Sequence, residues 1–180
     1  MKTISKIMFF TLLIAGILTA CKGPAGPPGK DGKDGKDGQD GNANVQTYIF
    51  DVSSNSGSMI TLNLNAITQD VLENDAILTY YKASNDIYYV APGPGPNGNY
   101  ITRVYSDVGV HIIKFHNWDG TPHAISAGDV LLVKIIIIES TNTTSSKEAN
   151  RMKILDELEN AGVDINNYYA VCEYLGIDPE

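Results

Sequence analysis

The run Val130-Leu-Leu-Val-Lys-Ile-Ile-Ile-Ile138 is apolar at odd and even positions alike, interrupted only by Lys134. Successive side chains of a strand point to opposite faces, so a run of this kind fits a strand covered on both sides, at the centre of a sheet. A membrane span fails on length, since nine residues with a charge among them fall well short of the ~20 that a helix needs.

Around this run the hydrophobic period is two. Tyr48, Phe50 and Val52 alternate with Thr47, Ile49 and Asp51, and Ile60, Leu62 and Leu64 with Thr61, Asn63 and Asn65. That pattern predicts half-buried strands. Further strands are expected over residues 76–82, 87–91, 100–105, 109–117 and 130–139. Ser54–Gly57 and Asp119-Gly120 supply turns, and the Pro92–Gly98 stretch (PGPGPNG) is expected to break any strand or helix. The fold class expected for residues 42–146 is mainly β, an antiparallel β-sandwich of about seven strands. Ile67–Asn74 reads as a short helical turn with Ile67 and Val71 facing inward.

Residues 147–180 are expected to form a C-terminal two-helix extension packed on the sandwich. Ser145-Ser-Lys-Glu148 has capping-box spacing and opens a helix presenting Ile154, Leu158 and Ala161 until Gly162 stops it. Asp164 is the expected N-cap of the second helix, whose Tyr168, Val171, Cys172 and Leu175 share one face and whose stop is Gly176. Helices this short need a docking partner.

The N-terminal segment is of another kind. Lys2 and Lys6 precede a twelve-residue apolar run, Ile7–Leu18, and then Leu18-Thr19-Ala20-Cys21. The run is a secretory signal in length and order, covering residues 1–20. Leu-Thr-Ala-Cys resembles the bacterial lipobox, which implies that Cys21 is the lipidated first residue of the mature chain; the bland alternative is an ordinary cleavage site with an incidental Cys. Several acyl chains at ~0.8 kcal/mol per buried methylene hold a protein on a membrane effectively permanently. Lys22 in place of Asp implies, by the same resemblance, sorting to the outer membrane, with the periplasmic or surface face left open.

From Gly23 to Gly41, Gly recurs at every third position through six triplets, taking seven of the chain's 17 glycines. This resembles collagen, where only Gly fits the axis of three polyproline-II chains. The resemblance implies a homotrimer through residues 23–41; a monomeric charged spacer is the equal alternative. Either form of the 21–41 stalk reaches roughly 60 Å at ~3.1 Å per residue.

Charge narrows the partners. Residues 42–180 hold 17 acids against 7 bases. A surface of that sign repels phosphate backbones and anionic lipid, so no nucleic-acid partner is expected, and membrane attachment falls to the lipid on Cys21.

Catalytic signals are missing. There is no Gly-x-Ser-x-Gly elbow, His-Glu-x-x-His pair, phosphate loop or dinucleotide fingerprint, so no catalytic residue, metal or cofactor is assigned. Asp70 and Glu73 read as solvated charge, and Cys172 as a buried inert thiol. His111 and His116 are five apart and fall on opposite faces, while His116 and His123 could meet across a hairpin, a minority reading for a metal site. The aromatic residues Tyr80-Tyr81, Tyr88-Tyr89, Tyr100, Tyr105 and Trp118 flank the Pro/Gly stretch and a hairpin tip. Tyr88, Tyr100 and Trp118 are the candidate contacts for a glycan or an envelope protein, against the plainer reading of core rings and cross-strand pairs. In each adjacent Tyr pair, one ring is expected inward and the other outward.

Taken whole, the chain resembles bacterial lipoproteins that carry a short collagen-like repeat before a β-rich surface domain. That resemblance rests on Leu18–Cys21 and Gly23–Gly41. It implies location and presentation at the cell envelope and supplies no functional residues for the domain, which is expected to be a non-enzymatic interaction or structural module; the alternative is an envelope hydrolase acting on glycan or peptidoglycan.

Overall fold

Alternating burial along the strands resolves into two antiparallel sheets. A computed structural model of the protein describes residues 44–140 and 147–179. The signal segment, Cys21, the stalk to Gly41 and the capping-box Ser145 lie outside the described residues. The strands are β1 (Val45–Asp51), β2 (Met59–Asn63), β3 (Ala76–Ala83), β4 (Tyr88–Ala91), β5 (Gly93–Pro94), β6 (Ile101–Asp107), β7 (Val110–His116) and β8 (Val130–Ile138). The helices are α1 (Gln69–Asn74), α2 (Lys147–Asn160) and α3 (Tyr168–Leu175). The first sheet runs β1-β8-β3-β4 and the second β2-β7-β6-β5, four strands each. The protein is therefore mainly β.

β8 lies between β1 and β3, as its doubly apolar sequence predicts. Val133, Ile135 and Ile137, with Tyr81 of β3, pack against Ile60, Leu62, Ile113 and Phe115 of the second sheet. The opposite face of the first sheet presents Ile136, Ile138, Leu78 and Tyr80 to Ile154, Leu158, Tyr168, Val171 and Leu175 of the C-terminal helices. Both rings of the Tyr80-Tyr81 pair are consequently buried, one on each face, and the outward ring expected of that pair is absent. The reason is the second cover: Tyr80 donates its hydroxyl to the Ile165 carbonyl at 2.7 Å beneath the helical tail.

The Pro92–Gly98 stretch corrects a second expectation, because β5 and a 3-10 turn at Pro96–Gly98 lie within it, bringing the strands to eight. Proline is tolerated on β5 because that strand is a sheet edge, where an absent N–H breaks no ladder. Thr102 reinforces this short pairing with its side chain: Oγ1 accepts from Gly93 N at 3.0 Å and donates to Gly93 O at 2.9 Å.

The helix ends follow capping chemistry. Thr68 caps α1 by accepting from Val71 N at 3.2 Å, with Ile67 buried and Val71 half-buried. The N-cap of α3 is Asn167, which accepts from Ala170 N, rather than Asp164. Asp164 instead folds the preceding turn by accepting from Asn166 N at 2.9 Å and Asn166 Nδ2 at 2.8 Å. Gly176 stops α3 in the left-handed region at φ 67°, donating to Cys172 O and Glu173 O. Ala161, expected on the inner face of α2, is exposed. α2 ends at Asn160, and Val163 turns back instead, donating to Leu158 O at 2.9 Å.

The one charge in β8 is accommodated by the tail. Lys134 is 1% exposed, and its ammonium donates to Tyr168 Oη at 2.8 Å and to the Pro179 carbonyl. It lies 5.0 Å and 5.1 Å from the ring centres of Tyr168 and Tyr88. The four-carbon stem fills space between sheet and helices while the charged end meets oxygen and π-faces. Lys134→Ala, which removes stem and donor together, is expected to lower unfolding free energy by about 3 kcal/mol in urea. Lys134→Met keeps the stem volume and removes the desolvated charge, so it should stay within about 1 kcal/mol of the parent. Equal losses in the two variants would overturn this account.

Candidate functional site

The three aromatic residues singled out in the sequence occupy three different environments. Tyr100 is only 6% exposed: it meets Phe115 edge-on at 5.4 Å and lies over the His123 ring at 4.9 Å. It belongs to the core between the sheets, which corrects its assignment as a ligand contact. Parity explains the burial, since Tyr100 points the same way as the buried Thr102. Gly95 makes the room, because a Cβ there would stand 2.3 Å from Tyr100 Cε2.

Tyr88 is half-buried on the helical side of the first sheet, with its ring centre 4.2 Å from that of Tyr168 and 6.0 Å from that of Tyr169. Trp118 sits beyond the end of β7 and is 66% exposed. Its Nε1 donates to Gly98 O at 2.6 Å, so the indole is held by one edge while its face stays in water. No single surface gathers these three rings.

One buried titratable group, His111, lies between two hydroxyls. His111, fully buried in β7, has Nε2 3.0 Å from Thr79 Oγ1 of the facing sheet and Nδ1 2.9 Å from Ser106 Oγ of the neighbouring strand. Burial lowers its pKa to about 4. Ser106 and His111 resemble a nucleophile and base in contact, but the second ring nitrogen meets a hydroxyl where an orienting carboxylate is needed. A base held that far below neutral is also poorly matched to general-base work at neutral pH. The arrangement suits a neutral structural histidine.

His111 and His116 do face opposite ways, by the alternation of burial along β7. His123 Nδ1 is engaged with Asn117 Oδ1 at 2.9 Å, whereas the buried Nδ1 of His116 has no hydrogen bond. Among the described residues no three His, Cys, Asp or Glu side chains group as metal ligands. Cys172 is buried and free, and burial pushes its thiol pKa up, against the opposing pull of the Tyr168 hydrogen bond and Lys134. On α1, Asp70 accepts from Asn74 Nδ2 at 2.8 Å and Glu73 from Gln69 Nε2 at 2.7 Å, the i,i+4 pairs of a solvated helix.

The outer face of the second sheet is different. α2 and α3 cover the outer face of the first sheet, while residues alternating out of β2, β7 and β6 remain at least partly exposed. The register sets Met59, Lys114 and Arg103 in one row and Thr61, Ile112 and Tyr105 in the next. Lys114 Nζ lies 4.9 Å from the Tyr105 ring centre. Sequence reasoning did not single out Arg103 and Lys114, although a signal exists. The two-residue link Val108-Gly109 between β6 and β7 fixes the pairing of Asp107 with Val110, and counting outward puts 103 opposite 114.

No protein-family model, curated protein or solved structure matches the chain.

Two measurements check the buried geometry. Since folded His111 has a pKa of about 4 and the unfolded side chain one of ~6.5, the unfolded state takes up its proton first as pH falls. This contribution to stability is complete above pH ~6.5 and declines toward pH 4 by about 3 kcal/mol, the His111 variant separating it from the carboxylates that titrate near pH 4. Urea midpoints at pH 7 and pH 4.5 should therefore differ in the parent and much less in His111→Gln. Separately, Gly95→Ala forces the Tyr100 ring against Phe115 and His123 and is expected to cost about 1–3 kcal/mol. A change in Trp118 fluorescence should accompany that loss, because the same loop supplies the Gly98 carbonyl.

Proposed function

We propose that the protein is a lipid-anchored component of the bacterial cell envelope that presents a non-enzymatic binding domain on a collagen-like spacer. The observation that carries the binding part is the unequal treatment of the two outer sheet faces. One is sealed by helices, while the other leaves Met59 and Tyr105 about half exposed beside two cations. The address part is supported by Leu18-Thr-Ala-Cys21 after a charged and apolar leader, and the spacer by the Gly period from Gly23 to Gly41. In this reading the described residues form a β-sandwich with a helical pair on one side. The stalk, as a trimer or as a single extended chain, lifts the sandwich clear of the lipid. The hydrolase alternative draws no support from Ser106 and His111, whose geometry lacks the orienting carboxylate.

Mass spectrometry of the membrane fraction tests the address. The expected product begins at Cys21, carries a thioether-linked diacylglycerol and an amide-linked acyl chain, and leaves the membrane only with detergent. Cys21→Ser should release the protein unmodified into the soluble fraction. An unmodified Cys21 in the parent protein would overturn the anchor.

A further inference from the structure

Arg103 and Lys114 stand directly opposite each other on neighbouring strands, both pointing out of the second sheet. Like charges in that position destabilise a sheet, and local rules are most often broken in this way where a site is being built. Among the described residues neither forms an ion pair; the recorded contact of Lys114 is with the Tyr105 ring. Of the five other bases, three are occupied differently: Lys82 has Asp86 at 2.6 Å, Arg151 reaches the Leu72 carbonyl at 2.7 Å, and Lys134 is buried, while Lys147 and Lys153 belong to α2 on the far side of the first sheet. The pair is thus a local excess of positive charge on a domain with 17 acids and 7 bases.

That contrast defines the ligand. A dense polyanion such as a nucleic acid, with one charge per ~1.7 Å of duplex, would be repelled by the domain as a whole. An anion with isolated charges needs to meet only these two cations. β7 has a strand on both sides, and β5 pairs β6 only at Ile101 and Thr102, but Arg103, Tyr105 and Lys114 project from the face of the sheet, so a ligand that uses them lies across that face and not along it as an added strand. Recognition must come from side chains. Tyr105, half-exposed beside Ile112 and Lys114, supplies a flat amphipathic ring of the kind that receives the C–H face of a sugar.

We infer that the outer face of the second sheet binds an acidic oligosaccharide of low charge density, its carboxylate or sulfate held between Arg103 and Lys114 and its sugar ring lying on Tyr105. This rests on the reading of the protein as a binding module and names the ligand class.

The test applies the full mature chain, in detergent, to immobilised oligosaccharides of equal length in neutral, uronate-bearing and sulfated forms. Uronate or sulfated forms are expected to bind more tightly than neutral ones and to weaken as salt rises. The double variant R103Q/K114Q should lose roughly tenfold or more in affinity, since two charge-assisted hydrogen bonds disappear. Its thermal midpoint should hold or rise with the repulsion gone, and a fall would mark the pair as structural and overturn the inference. Equal binding of neutral and acidic forms, or effective competition by poly-glutamate, would overturn it too. Binding that survives R103Q/K114Q but vanishes in Trp118→Ala would move the ligand to the loop tip, removing this inference while leaving the binding-module reading intact. Failure of every oligosaccharide to bind would reject the ligand class without touching the anchor at Cys21.

Discussion

A charged amine in the middle of an otherwise apolar strand is the constraint around which the first sheet and its helices are arranged. Lys134 cannot point into the layer between the sheets, where Val133 and Ile135 already pack, so alternation sends it to the opposite face. Leaving an ammonium dry and unpaired there would cost several kcal/mol. Tyr168 and the Pro179 carbonyl meet it, and Tyr168 Oη also donates to that carbonyl at 3.0 Å. The same helix that brings Tyr168 brings Val171, Cys172 and Leu175 onto the sheet. Polar satisfaction and apolar burial are therefore delivered by one element, and disturbing either disturbs both.

Much of this organisation could be read from residue order, and the failures have specific causes. The doubly apolar run at 130–138 correctly announces a central strand because period two leaves no other way to bury both sets of side chains. The α3 face of Tyr168, Val171, Cys172 and Leu175 was likewise legible from 3.6-residue spacing. What was not legible depends on contacts between segments. Tyr80 looks like an outward ring until a helix from nearly ninety residues later covers it, and Tyr100 looks like a loop-end ring until Gly95 opens a slot for it. Asp164 and Asn167 are both chemically able to cap, and the choice follows from the turn that Asp164 makes with Asn166.

The candidate site divides in the same way. Single aromatics, judged by their position along the chain, were a poor guide, since exposure depends on which sheet face is covered. Arg103 and Lys114 emerge only once strand register is known, because 11 positions in sequence become adjacency in space. The binding reading accordingly moves from three separate rings to one sheet face, with Trp118 left as a ring pinned at its rim. A face built on the seven paired positions of β6 and β7 holds its side chains in fixed relative positions more firmly than a loop tip would.

The Lys134 arrangement also orders events in time. β8 can pair with β1 and β3 as soon as residue 138 is available, but the partners of its ammonium come 34 and 45 residues later. Until that segment arrives, the outer face of the first sheet is bare and the amine belongs in water. A chain made N-terminus first is thus kept from sealing this face early. Closure of this face waits for α3 and the residues just after it, so its burial is completed by the segment that is made after every strand it covers.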